Sequence, residues 1–301
     1  MYDIIVIGAG AAGMTSALYA LRNSKKVLVL ESDSLGGQIA TSPRLENYPS
    51  IKEISGEKFA DNLFEQITAL GAEVEIEKAV KIEKANGEFT VTTEYNEYKA
   101  KSVIIAAGVK HKHLRTSRDD LVGKGVYYCA ICDGAFYKGK EVVVIGDANT
   151  ALQYSLLLSS YCKKVYVYTL FDKFFGDDRL IKALRAKENI EVRPNTSVID
   201  FVGENELTAI KYKDKDGNIC THEIPAVFIA IGQVPDNKAY TNVVDLDKDG
   251  YIIADETCKT KTEGLFVAGD CRTKAVRQVA TAVADGAVAA TNASIYLESL
   301  N

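Results

Sequence analysis

Apolar residues in this chain gather in short, nearly unbroken runs, and between the runs the spacing turns helical. Residues 4–21 are the first case: IIVI, then Gly8, Gly10 and Gly13, then a long apolar stretch. A short apolar run closed by glycine predicts a buried strand, so the segment reads as strand, glycine turn and helix. It is not read as a membrane or signal segment, because the three glycines interrupt it and Asp3, not a basic region, precedes it. KVLVLE, ending at Glu31, predicts the next strand. Repeated alternation of this kind predicts the α/β class with parallel sheets.

One architecture occurs twice. The first copy opens with DIIVIGAGAAG and closes with VIIAAG at Gly108; the second opens with EVVVIGDANTA and closes with VFIAIG at Gly232. Each copy carries a late hairpin signal, at Asn86-Gly87 and at Asp216-Gly217. Beyond the second copy come GLFVAGD (264–270) and a helical pattern from Ala275 onward. These features predict two Rossmann-like three-layer domains, the second inserted into the first. The expected segments are 1–110, 111–241 and 242–301, crossed by the polar stretches GVKHKHLRTS and GQVPDNKAY.

Composition narrows the class. At 301 residues with 47% hydrophobic and 26% charged content, the chain is that of a globular protein with room for two cores. A formal charge of −5 argues against general nucleic-acid binding. Six cysteines do not suggest a secreted disulfide framework, so a cytoplasmic setting without a membrane is expected.

Two stretches carry chemistry. In GAGAAG, Gly8 permits a tight turn, Gly10 lets backbone approach a pyrophosphate, and Gly13 lets helix and strand pack closely. The helix start supplies amide donors, and Glu31, eighteen residues beyond Gly13, stands where a carboxylate meets ribose hydroxyls. Between the copies lies Cys129-Ala130-Ile131-Cys132-Asp133-Gly134. Two thiols at this spacing can close and reopen a disulfide, and Asp133 beside them can shuttle the proton. Zinc held with His111 and His113, or an inert buried pair, are the bland readings of the same cysteines. Cys162, Cys220, Cys258 and Cys271 stand alone, and no metal site is expected.

GAGAAG, Gly36-Gly37-Gln38, Asn47-Tyr48-Pro49, Cys-x-x-Cys-Asp-Gly, GLFVAGD and Arg277-Gln278-Val279-Ala280 occur in that order. Over nearly its whole length the chain thus resembles the low-molecular-weight thioredoxin reductases, FAD enzymes with a redox dithiol in an inserted domain. The resemblance implies that Gly8, Gly10, Ala11, Ala12, Gly13 and Glu31 hold the adenosine and pyrophosphate part of FAD. It implies that Gly36, Gly37, Gln38, Asn47, Ala107, Gly108, Gly269, Asp270, Arg277, Gln278, Val279 and Ala280 line the ribitol and flavin. Cys132 would face the flavin, Cys129 would exchange with thioredoxin, and Asp133 would be the acid. A homodimer is implied as well.

The second copy departs from the pattern. Its second glycine is Ala148, whose methyl group stands where a pyrophosphate comes close, and Asp147 is expected to cap the same helix start. Eighteen residues beyond Ala151 is Thr169, and residues 168–175, YTLFDKFF, hold no arginine to grip an adenosine phosphate. Only Lys163, Lys164 and Lys173 are near in sequence to compensate. Losing two charge-assisted phosphate bonds costs on the order of 3–6 kcal/mol, or about 10²–10⁴ in affinity. The pattern matches the flavin-type ferredoxin-dependent branch of the family, which lacks the nicotinamide motifs. In that reading ferredoxin is the donor, docking on the run Lys110, Lys112, Arg115, Arg118 with Lys138 and Lys140. The alternatives are an NADPH-dependent thioredoxin reductase, a flavin dithiol oxidase passing electrons to oxygen, and a flavoprotein scaffold without turnover.

Overall fold

Every second residue of a strand faces the same side of its sheet, and the first apolar run uses both sides. In the computed structural model, which describes residues 1–42, 45–114 and 118–300, that run becomes β1 (Tyr2–Ile7). Ile4 and Val6 join one core while Ile5 and Ile7 join the other, so the strand is apolar throughout. The chain continues as α1 (Ala11–Arg22), β2 (Val27–Glu31), α2 (Gly56–Ala69), β3 (Glu73–Ile76), β4 (Ala79–Ala85), β5 (Glu88–Thr93) and β6 (Glu97–Ile105). Asn86 and Gly87 both take positive φ, 51° and 82°, and so make the tight turn between β4 and β5.

After the crossing strand β7 (Lys110–His111) come β8 (Val126–Tyr127), α3 (Ala130–Asp133), β9 (Glu141–Ile145), α4 (Asn149–Ser159) and β10 (Lys164–Tyr168). Then follow α5 (Asp178–Arg185), β11 (Ile190–Arg193), β12 (Ser197–Val202), β13 (Ala209–Lys213), β14 (Ile219–Glu223) and β15 (Val227–Ile229). The return strand β16 (Gln233–Val234), β17 (Leu265–Val267) and α6 (Val279–Ser299) complete the chain.

Contacts group the chain into two units, Met1–Lys110 with Val234–Asn301, and His111–Gln233. The return crossing therefore falls at 233/234 rather than at the expected 241/242. Packing explains the difference. Tyr240, Val243 and Val244 are buried in the first unit's core, and the Tyr240 hydroxyl donates to the Ala79 carbonyl. The last helix begins at Val279, four residues later than the apolar pattern from Ala275 implies, because Gln278 caps it.

The first unit is built on a seven-stranded sheet of order β3-β2-β1-β6-β5-β4, with β17 also paired to β6. α1, α2 and α6 cover one face with Met14, Ala17, Phe59, Ile67, Ala289 and Ala293. Small residues let α1 and α6 touch: a side chain at Gly286 would meet the Ala12 carbonyl oxygen at 2.4 Å. The second unit has a parallel sheet of order β11-β10-β9-β15-β8. Val142, Val144, Val165 and Val167 point to the helix side, where Leu152, Leu158 and Leu184 are buried. Val143, Ile145, Tyr166 and Tyr168 point to the antiparallel sheet β12-β13-β14. Both units thus have the Rossmann-like layering that the repeated pattern predicts.

Candidate functional site

Both turns that could hold a nucleotide lie where a strand feeds a helix, and they differ at one decisive position. In the first unit Gly8 turns the chain with φ of +106°, and a Cβ there would meet the Ala106 carbonyl oxygen at 2.3 Å. Gly10, which precedes α1, has no such reason to be glycine. Its φ is −80° and the nearest atom to a Cβ would be the Gly36 carbonyl oxygen at 3.8 Å. The protein leaves that space open at a helix N-terminus that carries no side-chain cap. A pyrophosphate fits there: it needs the volume and the amides.

At the end of β2 the Glu31 carboxylate accepts from Ala9 N at 2.7 Å, from Ser32 N at 2.7 Å and from Asp33 N at 3.1 Å. It is thereby fixed beside the turn, with lone pairs left for ribose hydroxyls. Ala11 and Ala12 open α1 and are buried. Gly36 and Gly37 lie against the same turn, Gly36 bridging to Gly10. Gln38 donates to the Val109 carbonyl, just past Ala107 and Gly108.

The other end of the expected FAD site comes together from three sequence-distant places. Asn47 Nδ2 donates to Gln278 Oε1 at 3.0 Å, at the start of α6 beside Val279 and Ala280. Gly269 and Asp270 follow β17 in a short 3-10 turn. Asp270 Oδ1 is buried without a hydrogen-bond partner, and burial pushes its carboxyl up to about 6 against the pull of Lys274 and Arg277. A buried acceptor left unused is costly unless a ligand hydroxyl meets it. The open space at Gly10 and this orphan oxygen both fit FAD. The Arg277 guanidinium lies 4.0 Å from the Tyr251 ring centroid and donates to the carbonyls of Asp270 and Arg272. It braces the turn.

In the second unit Cys129 and Cys132 form a disulfide across the short helix α3, with 5.3 Å between their Cα atoms. Cys132 N donates to Cys129 Sγ at 3.2 Å. Asp133 closes the helix; it is buried, its Oδ1 has no partner, and burial pushes its carboxyl up to about 7. A carboxyl that holds its proton near neutrality can donate it to a departing thiolate. His111 and His113 are engaged with Tyr128, by stacking at 4.7 Å and by a hydrogen bond at 3.1 Å. Among the described residues no three His, Cys, Asp or Glu side chains gather as a metal cluster. Cys162, Cys220, Cys258 and Cys271 are free thiols.

The second turn differs from the first where a pyrophosphate would approach. Ala148 precedes α4 with φ of −114° and ψ of −175°, close to the −80° and −174° of Gly10. Both residues are thus extended, and Ala148 adds a methyl group at the step where Gly10 has none. The expected capping by Asp147 is not what the structure has: α4 has no side-chain cap, and it is the Asp147 carbonyl that accepts, from Phe175 N at 2.7 Å. At the ribose end Thr169 Oγ1 is spent on the Phe171 carbonyl, and Leu170, Phe171 and Phe175 are exposed. Arg193 on the neighbouring strand is tied to Glu191 and to the hydroxyls of Tyr168 and Tyr212. Lys163 and Lys164 pair with Glu141 and Glu191 at the opposite end of β10, and Lys173 lies over Phe175. Lys173 is the one basic side chain among residues 168–175, and it is exposed.

Of the expected basic docking run, Arg115 lies outside the described residues. Arg118 chelates Asp120 at 2.6–2.8 Å and donates to the Phe201 and Gly203 carbonyls. Sequence reasoning also missed a buried network in the first unit. Arg272, Lys274 and Gly269 N converge on Asp285. The available signal was a lone carboxylate in the small apolar run VATAVADGAVAA.

The sequence pattern described as "Pyridine nucleotide-disulphide oxidoreductase" matches residues 2–286. A thioredoxin reductase of Treponema pallidum is 38% identical over 302 residues, covering 99% of this chain and 98% of the relative. The solved thioredoxin reductase of Streptococcus pyogenes superposes with a TM-score of 0.95 at 34% identity, covering 99% of both chains. The Clostridium acetobutylicum structure called a ferredoxin-flavin thioredoxin reductase gives a TM-score of 0.55 at 29% identity, covering 99% of this chain and 98% of that one. No helix among the described residues is long and apolar enough to cross a membrane.

Proposed function

From the premise that the chain belongs to the pyridine nucleotide-disulphide oxidoreductase family, we propose that it is a thioredoxin reductase using FAD and the Cys129–Cys132 dithiol. The observation that carries the reading is the disulfide on α3 beside a buried, proton-holding Asp133. FAD, when bound, supplies the electron pair that reopens this disulfide. Gly10 and the start of α1 would hold its pyrophosphate, Glu31 its ribose, and Asp270 its ribitol.

The thiol chemistry belongs to the chain itself. The Cys129 thiolate attacks one sulfur of the thioredoxin disulfide, forming a mixed disulfide and expelling a thiolate that takes a proton. Cys132, as thiolate, then attacks Cys129 Sγ; the Cys129–Cys132 bond forms and dithiol thioredoxin leaves. The enzyme dithiol loses two electrons and thioredoxin gains two. Asp133 Oδ1, unpartnered and next to Cys132, gives a proton to the departing sulfur and recovers it in the next cycle. A dithiol that serves both flavin and a protein disulfide requires the second unit to swing about its two crossings. A homodimer in the cytoplasm completes the proposal.

The comparisons favour a pyridine nucleotide as donor over ferredoxin. The family description names such a nucleotide, and the more similar relatives are called simply thioredoxin reductases. A specific observation favours the second reading, reduced ferredoxin: Ala148 fills the phosphate space and residues 168–175 offer no clamp. Anaerobic mixing with NADPH, NADH or reduced ferredoxin, with thioredoxin present and flavin absorbance followed, separates them. Rapid bleaching by ferredoxin alone supports the ferredoxin reading. Rapid bleaching by NADPH means the methyl group and the missing arginines are tolerated. In a further arm, anaerobic bleaching by a small dithiol, followed on admitting air by oxygen uptake and no thioredoxin thiols, would overturn both in favour of a dithiol oxidase.

A further inference from the structure

Buried ion pairs are poor sources of net stability, because stripping water from both charges consumes most of what their attraction returns. A fully enclosed one therefore asks what else it does. Arg272 is 1% exposed and Asp285 is 5% exposed, inside the first unit. The Asp285 carboxylate takes four donors: Arg272 Nε, Lys274 Nζ and Gly269 N on Oδ2 at 2.8, 2.8 and 2.9 Å, and Arg272 Nη2 on Oδ1 at 2.8 Å. Burial alone would raise its pKa, but the bonds from Arg272 and Lys274 hold it below the ordinary carboxylate value.

The donors matter for where they sit. Gly269 precedes Asp270 and Arg272 follows it by two residues, so one carboxylate on α6 grips both flanks of the turn that carries Asp270. Gly269 takes φ of +81°, and a side chain there would meet Ala12 Cβ at 2.8 Å, so the turn is pressed against the start of α1. Arg272 adds Nη1 to the Thr273 carbonyl at 2.9 Å. Asp270 itself keeps a buried oxygen without a partner.

We propose that Asp285 and Arg272 are a positioning pair for FAD, a clamp that fixes the Gly269–Asp270 turn so that the free Asp270 oxygen is presented to a flavin-chain hydroxyl. This rests on the reading of Asp270 as an FAD contact. The clamp touches no FAD atom; it acts through the turn. Losing one charge-assisted anchor corresponds to about 10- to 100-fold in FAD retention.

The test follows FAD release from the holoenzyme by the fluorescence that appears on dilution. Asp285→Asn, Arg272→Lys, Asp270→Asn and the Asp270→Asn/Asp285→Asn double variant are compared. Asp285→Asn is expected to speed release about 10- to 100-fold, with a shifted visible band of the retained flavin. In the double variant the combined acceleration falls well short of the product of the single effects, because both act on one contact. Arg272→Lys keeps the charge but not the two-pronged grip, and decides the matter if Asp285→Asn yields no holoenzyme. Multiplicative effects, or release unchanged in Asp285→Asn and Arg272→Lys while Asp270→Asn releases quickly, would overturn the clamp alone. Unchanged release in Asp270→Asn would overturn the FAD contact, and the clamp with it.

Discussion

Asp133→Asn separates the proton chemistry of the dithiol from everything upstream of it. Burial moves the Asp133 carboxyl from 3.8 to about 7, and no hydrogen bond reaches its Oδ1 to offset the cost of charge. Such a rise disfavours the carboxylate in the folded protein by roughly 4 kcal/mol. The folded state holds the proton more tightly than the unfolded chain, so the group costs no stability below its unfolded value. The cost grows as pH climbs from about 4 to about 7 and then levels off. Asp133→Asn carries no such charge. Its stability relative to the parent should therefore improve with pH, by about 2 kcal/mol between pH 5.5 and pH 8, read from urea unfolding at each pH. A difference that stays flat across this range refutes the burial argument. The same variant should lose about 10²–10⁴ in the single-turnover reduction of thioredoxin by pre-reduced enzyme. In the parent the part of that rate that depends on the Asp133 proton should titrate away as pH rises through about 7. Less than a tenfold loss on substitution would remove Asp133 from the proton path, whatever the electron donor.

Cys129→Ser and Cys132→Ser should each abolish multiple-turnover thioredoxin reduction while leaving flavin content unchanged; residual turnover above about 1% would exclude this dithiol as the relay. Ala148→Gly combined with Leu170→Arg and Phe171→Arg should tighten NADPH binding by about 10²–10⁴, measured by titration calorimetry, since it restores space and two cations together. A parent protein that already binds NADPH at micromolar levels would refute the argument from the second turn. Reversing Lys112, Lys138 and Lys140 to Glu should slow oxidation of reduced ferredoxin and flatten its salt dependence, followed by stopped-flow absorbance; unchanged rates would remove the docking surface.

What could be read from the chain alone was what depends on local spacing. Gly8, Gly10 and Gly13 in register with Glu31, and two cysteines three apart, are short-range patterns whose geometry follows from one strand, one turn and one helix. Both tight turns, at Asn86-Gly87 and Asp216-Gly217, were legible for the same reason. The return crossing was not, because its place is decided by Tyr240 packing on Ala79, 161 residues earlier. The Asp285 network was equally hidden: its arginine lies thirteen positions away, and nothing in the spacing says that the two meet. Arg277 was legible as a member of an ordered motif, and its ring partner Tyr251 is a contact only folding creates.

The two turns act as each other's control. Gly10 and Ala148 stand at the same step of the repeated strand–turn–helix, each just ahead of its helix and each with extended backbone. Backbone strain therefore cannot explain why one is glycine and the other is not, and neither can packing, since the space at Gly10 is empty to 3.8 Å. What remains is a ligand whose phosphates need that volume. Where the volume is kept, an acidic residue is also held ready at the ribose end, Glu31 fixed by three backbone amides. Where a methyl group fills it, the ribose end shows the exposed side chains Leu170, Phe171 and Phe175. The methyl group and the exposed apolar loop occur together in the second unit, while the valine-rich strands beneath are buried. Selection for packing would preserve those strands whether or not a nucleotide ever bound, so the fold of the second unit is no evidence for a nucleotide, and the question of the donor turns on Ala148 and the loop after β10.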